Sequence, residues 1–334
     1  MVDRRTFLGI AGSSAAGLIL GCRGSAVPVA QAPTSATGPA RLDRIGVQAF
    51  SFPKLLEQDV DAALAMIAGL GYQEVELFGP YPYSLQAVQD QWRAMAPMLG
   101  FSGSGYFGLE PAQFRARLAA HGLTSPSMHV DLDTLRERTA QVAEAAHTLG
   151  HRYAGIAAIP EERRRTLDDY RRMADELNAI GARAKTLGFT VLYHNHGYGF
   201  TPKDGQIPTR VLFDHLDPSV VALEMDVFWT VAGSADPVEL LDAYPRLYRL
   251  MHVKDMSRQA RFTQGGTMQD FIALMPAMTP AGTGVLDLPR ILGHAKRNGV
   301  EHFYVEQDLA ADPPSQLGTG IRNLRAMTLE TRSQ

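Results

Sequence analysis

From Arg44 onward the chain alternates short apolar, β-branched runs with longer segments in which apolar residues recur at helical spacing. The runs predict eight strands: Ile45–Phe50, Glu74–Phe78, Ser125–Val130, Tyr153–Ala158, Thr190–His194, Val220–Asp226, Leu247–Val253 and His302–Glu306. Amphipathic stretches between them predict helices, among them Val60–Leu70, Pro111–His121, Leu135–Leu149, Leu167–Leu187 and Leu288–Asn298. These five end at Gly71, Gly122, Gly150, Gly188 and Gly299, each placed where a left-handed C-terminal cap would release the chain into the next strand. Eight strand-helix repeats over about 290 residues predict an α/β fold, a single (β/α)₈ TIM barrel over residues 43–331. A doubly wound sheet is the alternative. It loses its main support because no G-x-G-x-x-G turn follows the first strand, where Ile45–Phe50 runs into Ser51-Phe52-Pro53.

The first 42 residues read differently. Residues 1–22 carry the pair Arg4-Arg5, then Thr6-Phe7-Leu8 and an apolar, small-residue run from Phe7 to Gly21 that is too short for a comfortable membrane span. They resemble a twin-arginine export signal, and Ile19-Leu20-Gly21-Cys22 resembles a lipobox in which Cys22 is lipidated. An incidental cysteine in a cleaved leader is the bland alternative. Residues 23–42, rich in Ala, Pro, Ser, Thr and Gly, read as a flexible linker. The expectation is an exported, periplasmic protein, touching the membrane only through a lipid anchor at Cys22.

Composition then narrows the chemistry. Cys22 is the single cysteine of 334 residues, so no intramolecular disulfide forms and any metal must be bound without thiolates. The whole chain carries a net charge of −3, and residues 43–334, with 28 basic against 34 acidic side chains, carry −6. Nucleic acid is therefore not an expected partner. In a barrel the strand C-termini converge on one mouth, so the polar groups ending each strand form the candidate site. These are Gln48, Glu76, His129 with Asp131, Tyr193-His194-Asn195-His196, Glu224-Met225-Asp226, His252-Val253-Lys254-Asp255 and Glu306-Gln307-Asp308. Imidazole and carboxylate donors without thiolate suit one divalent ion, Mn²⁺ first and Co²⁺, Mg²⁺ or Zn²⁺ as alternatives. A lone strand-end histidine is more often merely hydrogen-bonded; four successive strands ending in His, Asp, His and Glu favour a metal.

These segments, together with Gly46-Val47-Gln48, Gly71–Leu77 and Gly282-Thr283-Gly284-Val285-Leu286-Asp287, resemble the xylose isomerase-like TIM barrel superfamily, and within it exported sugar phosphate isomerases/epimerases. The resemblance runs from residue 44 to about 328. It implies metal ligands Asp226, His252 and Glu306, and a fourth from strand five. There the family's Glu is absent, and His194 and His196 share one face by strict alternation, with Asn195 on the other. His194 is the chosen ligand and His196 a substrate contact or alternative ligand. Gly199 also departs from relatives that have Glu there.

The implied reaction is sugar isomerisation or epimerisation through a metal-stabilised enediolate, with Glu306 as base and His196, Lys254 or His129 as second proton carrier. Gln48, Glu76, Asn195, Trp229 and Asp308 are expected on the substrate. Loss of the second Glu weakens two-faced epimerisation and raises a rival, β-elimination from a 3-keto-glycoside by the same first step. A non-catalytic sugar-binding lipoprotein is the alternative of another class. The partner is a small sugar or keto-glycoside, and a homo-oligomer is compatible with the sequence. Phe228, Tyr198 and Phe200 stack on sugar or pack the rim, Arg163-Arg164-Arg165 reads as a locally paired solvated face, and Ser257–Gly284 reads as a loop covering the substrate.

Overall fold

In the computed structural model, which describes residues 40–330, eight parallel strands close into a barrel. In chain order the strands are β1 (Gly46–Gln48), β2 (Glu74–Phe78), β3 (Ser127–His129), β4 (Tyr153–Ile156), β5 (Thr190–Asn195), β6 (Val221–Asp226) and β7 (Tyr248–Val253). A two-stranded ribbon of β8 (Asp255–Met256) and β9 (Met278–Thr279) follows, and β10 (His302–Val305) closes the barrel between β7 and β1. All eight predicted strands are present. The first is shorter than expected because the Gln48 side chain accepts from Phe50 N at 3.1 Å and turns the chain into a 3₁₀ helix at Ala49–Ser51.

The helices run Val60–Leu70, Pro111–Ala120, Leu167–Thr186 and Leu288–Arg297 at the places the pattern marked, and all five marked glycines have positive φ. The predicted Leu135–Leu149 helix is instead two, Leu132–Glu137 and Thr139–Leu149, parted at Arg138, whose φ of −124° and ψ of 34° leave the helical region. The periodic pattern did not mark Gln86–Leu99, Pro208–His215, Val227–Ala232, Pro237–Ala243 or Pro313–Ala326. Ser257–Gly284 is also more ordered than a loop. It holds β9, a helix at Met268–Leu274 and a 3₁₀ turn at Met275–Ala277.

Alternation along the strands stacks the barrel interior in layers. Tyr153, Leu192, Ala222, Leu250 and Tyr304 form an apolar cluster. Two residues further along their strands come His194, Glu224, His252 and Glu306, and two further again His196, Asp226, Lys254 and Asp308. The strict period of two thus turns a core layer into a polar layer without any change of fold. Gly46 is required at the closure, since a Cβ there would sit 2.4 Å from the Tyr304 ring.

The segment 1–22 with Cys22, and linker residues 23–39, lie outside the described residues. Residues 40–42 already belong to the fold: Leu42 is buried, and Ala40 O accepts from Leu329 N at 2.8 Å. Among the described residues no helix is long and apolar enough to cross a membrane.

Candidate metal centre and active site

Above the apolar layer the polar side chains divide into two groups that share His252. In the first, His129 (β3), His194 (β5), Glu224 (β6) and His252 (β7) each offer a donor atom, and these atoms lie within 4.8 Å of one another. Glu224 Oε2 is 2.7 Å from His129 Nε2 and 3.1 Å from His194 Nδ1. Its other oxygen, Oε1, is buried 3.3 Å from His252 Nε2 with no aligned hydrogen bond. Glu76 backs the group, receiving His252 Nε2 at 2.6 Å, Gln48 Nε2 at 2.8 Å and Ser127 Oγ at 2.5 Å.

The second group joins Asp226, His252 and Glu306, and a lysine lies among them. The Lys254 ammonium is 3.0 Å from Asp226 Oδ2, 2.7 Å from Glu306 Oε2 and 3.0 Å from Asp308. Lys254 is buried, and desolvation opposes its charge, but the carboxylates of Asp226, Asp308 and Glu306 overcome this and hold its pKa well above the usual range. Asp226 Oδ1 is occupied in another way, capping the helix Val227–Ala232 through Trp229 N at 2.8 Å.

Charge balance sets the states of these groups. Asp226 and Glu306 pair with the buried Lys254, whereas the buried Glu76 and Glu224 take histidines as their ion-pair partners. Histidine protonation or a bound ion supplies the cation beside Glu76 and Glu224, while burial raises the Asp226 carboxyl toward its neutral form. Burial works against a charged His252, yet Glu224, Glu306 and Glu76 raise its pKa well above normal, and His129 is raised in the same sense by Glu76 and Glu224. Burial and the neighbouring His252 lower that of His194 strongly. Glu224 and Glu306 are held well below the usual carboxylate range, against desolvation, by their cationic neighbours.

The residues fit a divalent ion. Three imidazoles and a carboxylate with an unpartnered oxygen converge in a buried space, and such donors suit a borderline first-row metal. Of the ligands expected from sequence, His194 and His252 belong to this group, whereas Asp226 and Glu306 lie around Lys254. Glu224 was among the expected strand-end groups but not among the expected ligands. Its signal was present, since it stands two positions before Asp226 and must share that residue's face.

A cavity of about 750 Å³ opens over these layers. His129, His194, His196, His252, Glu306, Asp308 and Trp229 line it, as expected of a site at the strand C-termini. His196 Nδ1 lies 2.6 Å from Ala157 O; a carbonyl only accepts, so the proton sits on Nδ1 and Nε2 keeps its lone pair. Burial, then Lys254, push its pKa down to about 3, so the ring is neutral near pH 7. The Asp308 carboxyl is driven up to about 7 by burial, with Lys254 opposing and Glu306 and Asp226 adding to the rise.

Four expected contacts lie elsewhere. Gln48 and Glu76 lie off the cavity lining and bond to each other; Asn195 faces Thr230 Oγ1 at 3.1 Å, on the opposite side of β5 from the two histidines; Lys254 reaches the cavity only through Glu306 and Asp308. Tyr198 lines the cavity, while Phe200 and Phe228 are buried in the core. Arg163-Arg164-Arg165 is not a uniform solvated face: Arg163 pairs with Glu176, but Arg164 stacks 3.7 Å over the Tyr198 ring at the cavity wall. Asp255 explains the Gly282-Thr283-Gly284 motif, since its carboxylate accepts from Gly282 N at 3.0 Å and Gly284 N at 2.8 Å. A Cβ on Gly284 would lie 2.3 Å from Asp255 Oδ1.

A closed eight-stranded barrel with a His/Glu centre at its strand ends defines the class, and the chain belongs to the xylose isomerase-like TIM barrel family, whose model matches residues 64–327. It is 26% identical over 257 residues to the inosose dehydratase of Geobacillus kaustophilus (strain HTA426), covering 68% of this chain and 83% of that protein. The match to the inosose dehydratase of Lacticaseibacillus casei is also 26% identical, over 178 residues, and spans 49% of this chain and 57% of the relative's length. Among solved structures, a sugar phosphate isomerase/epimerase from Parabacteroides distasonis ATCC 8503 shares the fold, with a TM-score of 0.63 at 23% identity, covering 90% of this chain and 97% of that one.

Proposed function

We propose that this barrel is a metal-dependent lyase that expels a group β to the carbonyl of a keto sugar or keto cyclitol. The observation that carries the reading is the asymmetry of the floor: a neutral imidazole acceptor, His196 Nε2, and a lysine-bridged carboxylate pair, Glu306 and Asp308, edge the same cavity. Elimination needs one group to take the α proton and another to protonate the leaving group. His196 is placed for the first role by its free Nε2 lone pair, although burial and Lys254 reduce its basicity, and Asp308, with its carboxyl pushed up to about 7, suits the second. Epimerisation needs proton carriers on two faces of the sugar, and Glu306 and Asp308 come from one strand end tied to one lysine. The names of the inosose dehydratase relatives support the same choice.

His129, His194, Glu224 and His252 would hold the ion. A divalent ion there supplies Lewis-acid polarisation of the substrate carbonyl. The other ligand set, Asp226, His252 and Glu306, would require the Lys254 ammonium to leave carboxylates it now touches. In the reaction the C–H bond α to the carbonyl breaks and its electron pair forms the new C=C bond. The bond to the β leaving group then breaks, and that group departs with a proton. Isomerisation and epimerisation share the first of these events only.

The test is an NMR time course of the Mn²⁺-loaded protein with a 3-keto-glucoside in heavy water. The reading predicts an enone and free aglycone. Incorporation of deuterium without release of aglycone would favour epimerisation instead.

A further inference from the structure

We infer that the sugar processed in this barrel carries a bulky apolar group, an aryl aglycone in its simplest form, and that this is the group expelled; the inference rests on the elimination reading above. Two elements at the cavity mouth carry it. The helix Gln86–Leu99, in the loop after β2, has no buried side chain, although it has an apolar stripe. Val88, Trp92 and Met95 stand at i, i+4 and i+7, and all three line the cavity, Trp92 also packing at its edge against Phe78 and Phe101. The segment after β7 adds Met268, Phe271 and Met275 to the same lining.

Two of these side chains are largely open to solvent, Met95 at 41% and Met268 at 63% exposure, and the other four are half-buried. An unburied apolar stripe on a helix is a cost unless something covers it. A free polyol is a poor cover, because its hydroxyls would lose water and find no acceptor on methionine or aromatic carbon. It is also too small: about 750 Å³ lies high in the ~300–1,000 Å³ range of pockets that enclose drug-sized ligands. The acid, base and imidazole groups sit at the strand ends, and the apolar wall is continuous with them. A sugar seated on the floor would therefore direct a substituent against Trp92, Met95 and Phe271. Aromatic rings and thioethers are suited to an aryl group.

With a 3-keto aryl glycoside the step balances without an oxidant. The C2–H bond breaks and its proton goes to the base; the electron pair forms C1=C2. The C1–O bond breaks, and the aryl oxygen leaves with the bonding pair and takes a proton.

The chain's two tryptophans, Trp92 and Trp229, both line the cavity, so intrinsic fluorescence reports occupancy without turnover. The full chain is titrated with phenyl β-glucoside and methyl β-glucoside, neither of which can react. Phenyl glucoside is expected to bind at least tenfold more tightly, with the ratio falling toward one in Phe271→Ala and in Met95→Ala, whose exposed position leaves folding intact. Equal affinity of the two probes, or variants that leave the ratio unchanged, would overturn the inference. The 3-keto forms of both glucosides are then followed by NMR. Elimination from both at equal kcat/KM would overturn the inference and leave the lyase reading standing. Elimination from neither, with the phenyl preference in binding intact, would refute the lyase reading and leave the apolar subsite in place.

Discussion

The Lys254 ammonium lies 2.7 Å from the Glu306 carboxylate inside the barrel, with Asp226 and Asp308 each 3.0 Å away. A buried cation among three carboxylates cannot be removed cheaply. Lys254→Met leaves uncompensated buried charge, which typically costs ~3–5 kcal/mol. Urea denaturation of the variant at pH 7 should show that loss; an unchanged midpoint and slope would mean that Lys254 is not the counter-ion of this group.

Glu224 is the carboxylate of the His-rich group and has one oxygen without an aligned partner. Glu224→Ala should lower affinity for Mn²⁺ or Zn²⁺ by roughly 100-fold, since removing even an outer partner of a metal site typically costs 10–100-fold. Glu306→Gln should weaken it far less if the ion sits among His129, His194, Glu224 and His252. Metal content after dialysis against a buffered ion concentration distinguishes the two sets, and the reverse order would move the ion to Asp226, His252 and Glu306.

His196 is held through Nδ1 by Ala157 O and presents Nε2 as the acceptor. His196→Asn is expected to lower kcat by about 10²–10⁴, the usual contribution of a positioned general base, with KM nearly unchanged. Steady-state kinetics on a keto-glucoside checks this. A variant with wild-type kcat and raised KM would assign His196 to binding alone.

Away from the site, His151 gives the fold its own pH dependence. Its Nδ1 donates to Ser125 O at 2.6 Å, Nε2 is buried without a partner, and burial lowers its pKa to about 4 while the Ser125 carbonyl opposes the shift. The folded state therefore favours neutral His151. Its stabilising effect is complete above the unfolded pKa of about 6.5 and is lost as pH falls from there to about 4, on the order of 3 kcal/mol in total. His151→Asn should flatten the stability profile across that window. Urea denaturation at pH 7.5 and 4.5 measures the difference; identical slopes in wild type and variant would exclude His151 as the cause.

The barrel and most of its floor were legible in the sequence because both follow from simple periods. Strands buried on both faces read as apolar runs, and the five capping glycines marked where helices stop. Glu224 escaped as a ligand because family resemblance directs attention to Asp226, although alternation places both on one face. The helix Gln86–Leu99 escaped although its apolar residues recur at helical spacing: none of its side chains is fully buried, Trp92 and Leu99 only pack against the edge of the core, and Pro97 lies inside it. Trp92 and Met95 consequently drew no notice as cavity residues. The roles of Gln48, Glu76 and Lys254 depend on distances between strands far apart in sequence, which no local pattern contains.

The central claim is that this barrel eliminates rather than epimerises, and that it does so with an ion among its histidines. The most direct measurement follows phenyl 3-keto-glucoside by NMR in heavy water, with the protein loaded with Mn²⁺ and again after chelation. The expected result is release of phenol together with an enone in the loaded sample and loss of both on chelation. Deuterium exchange at C2 with the glycosidic bond intact, or phenol release undiminished by chelation, would contradict it.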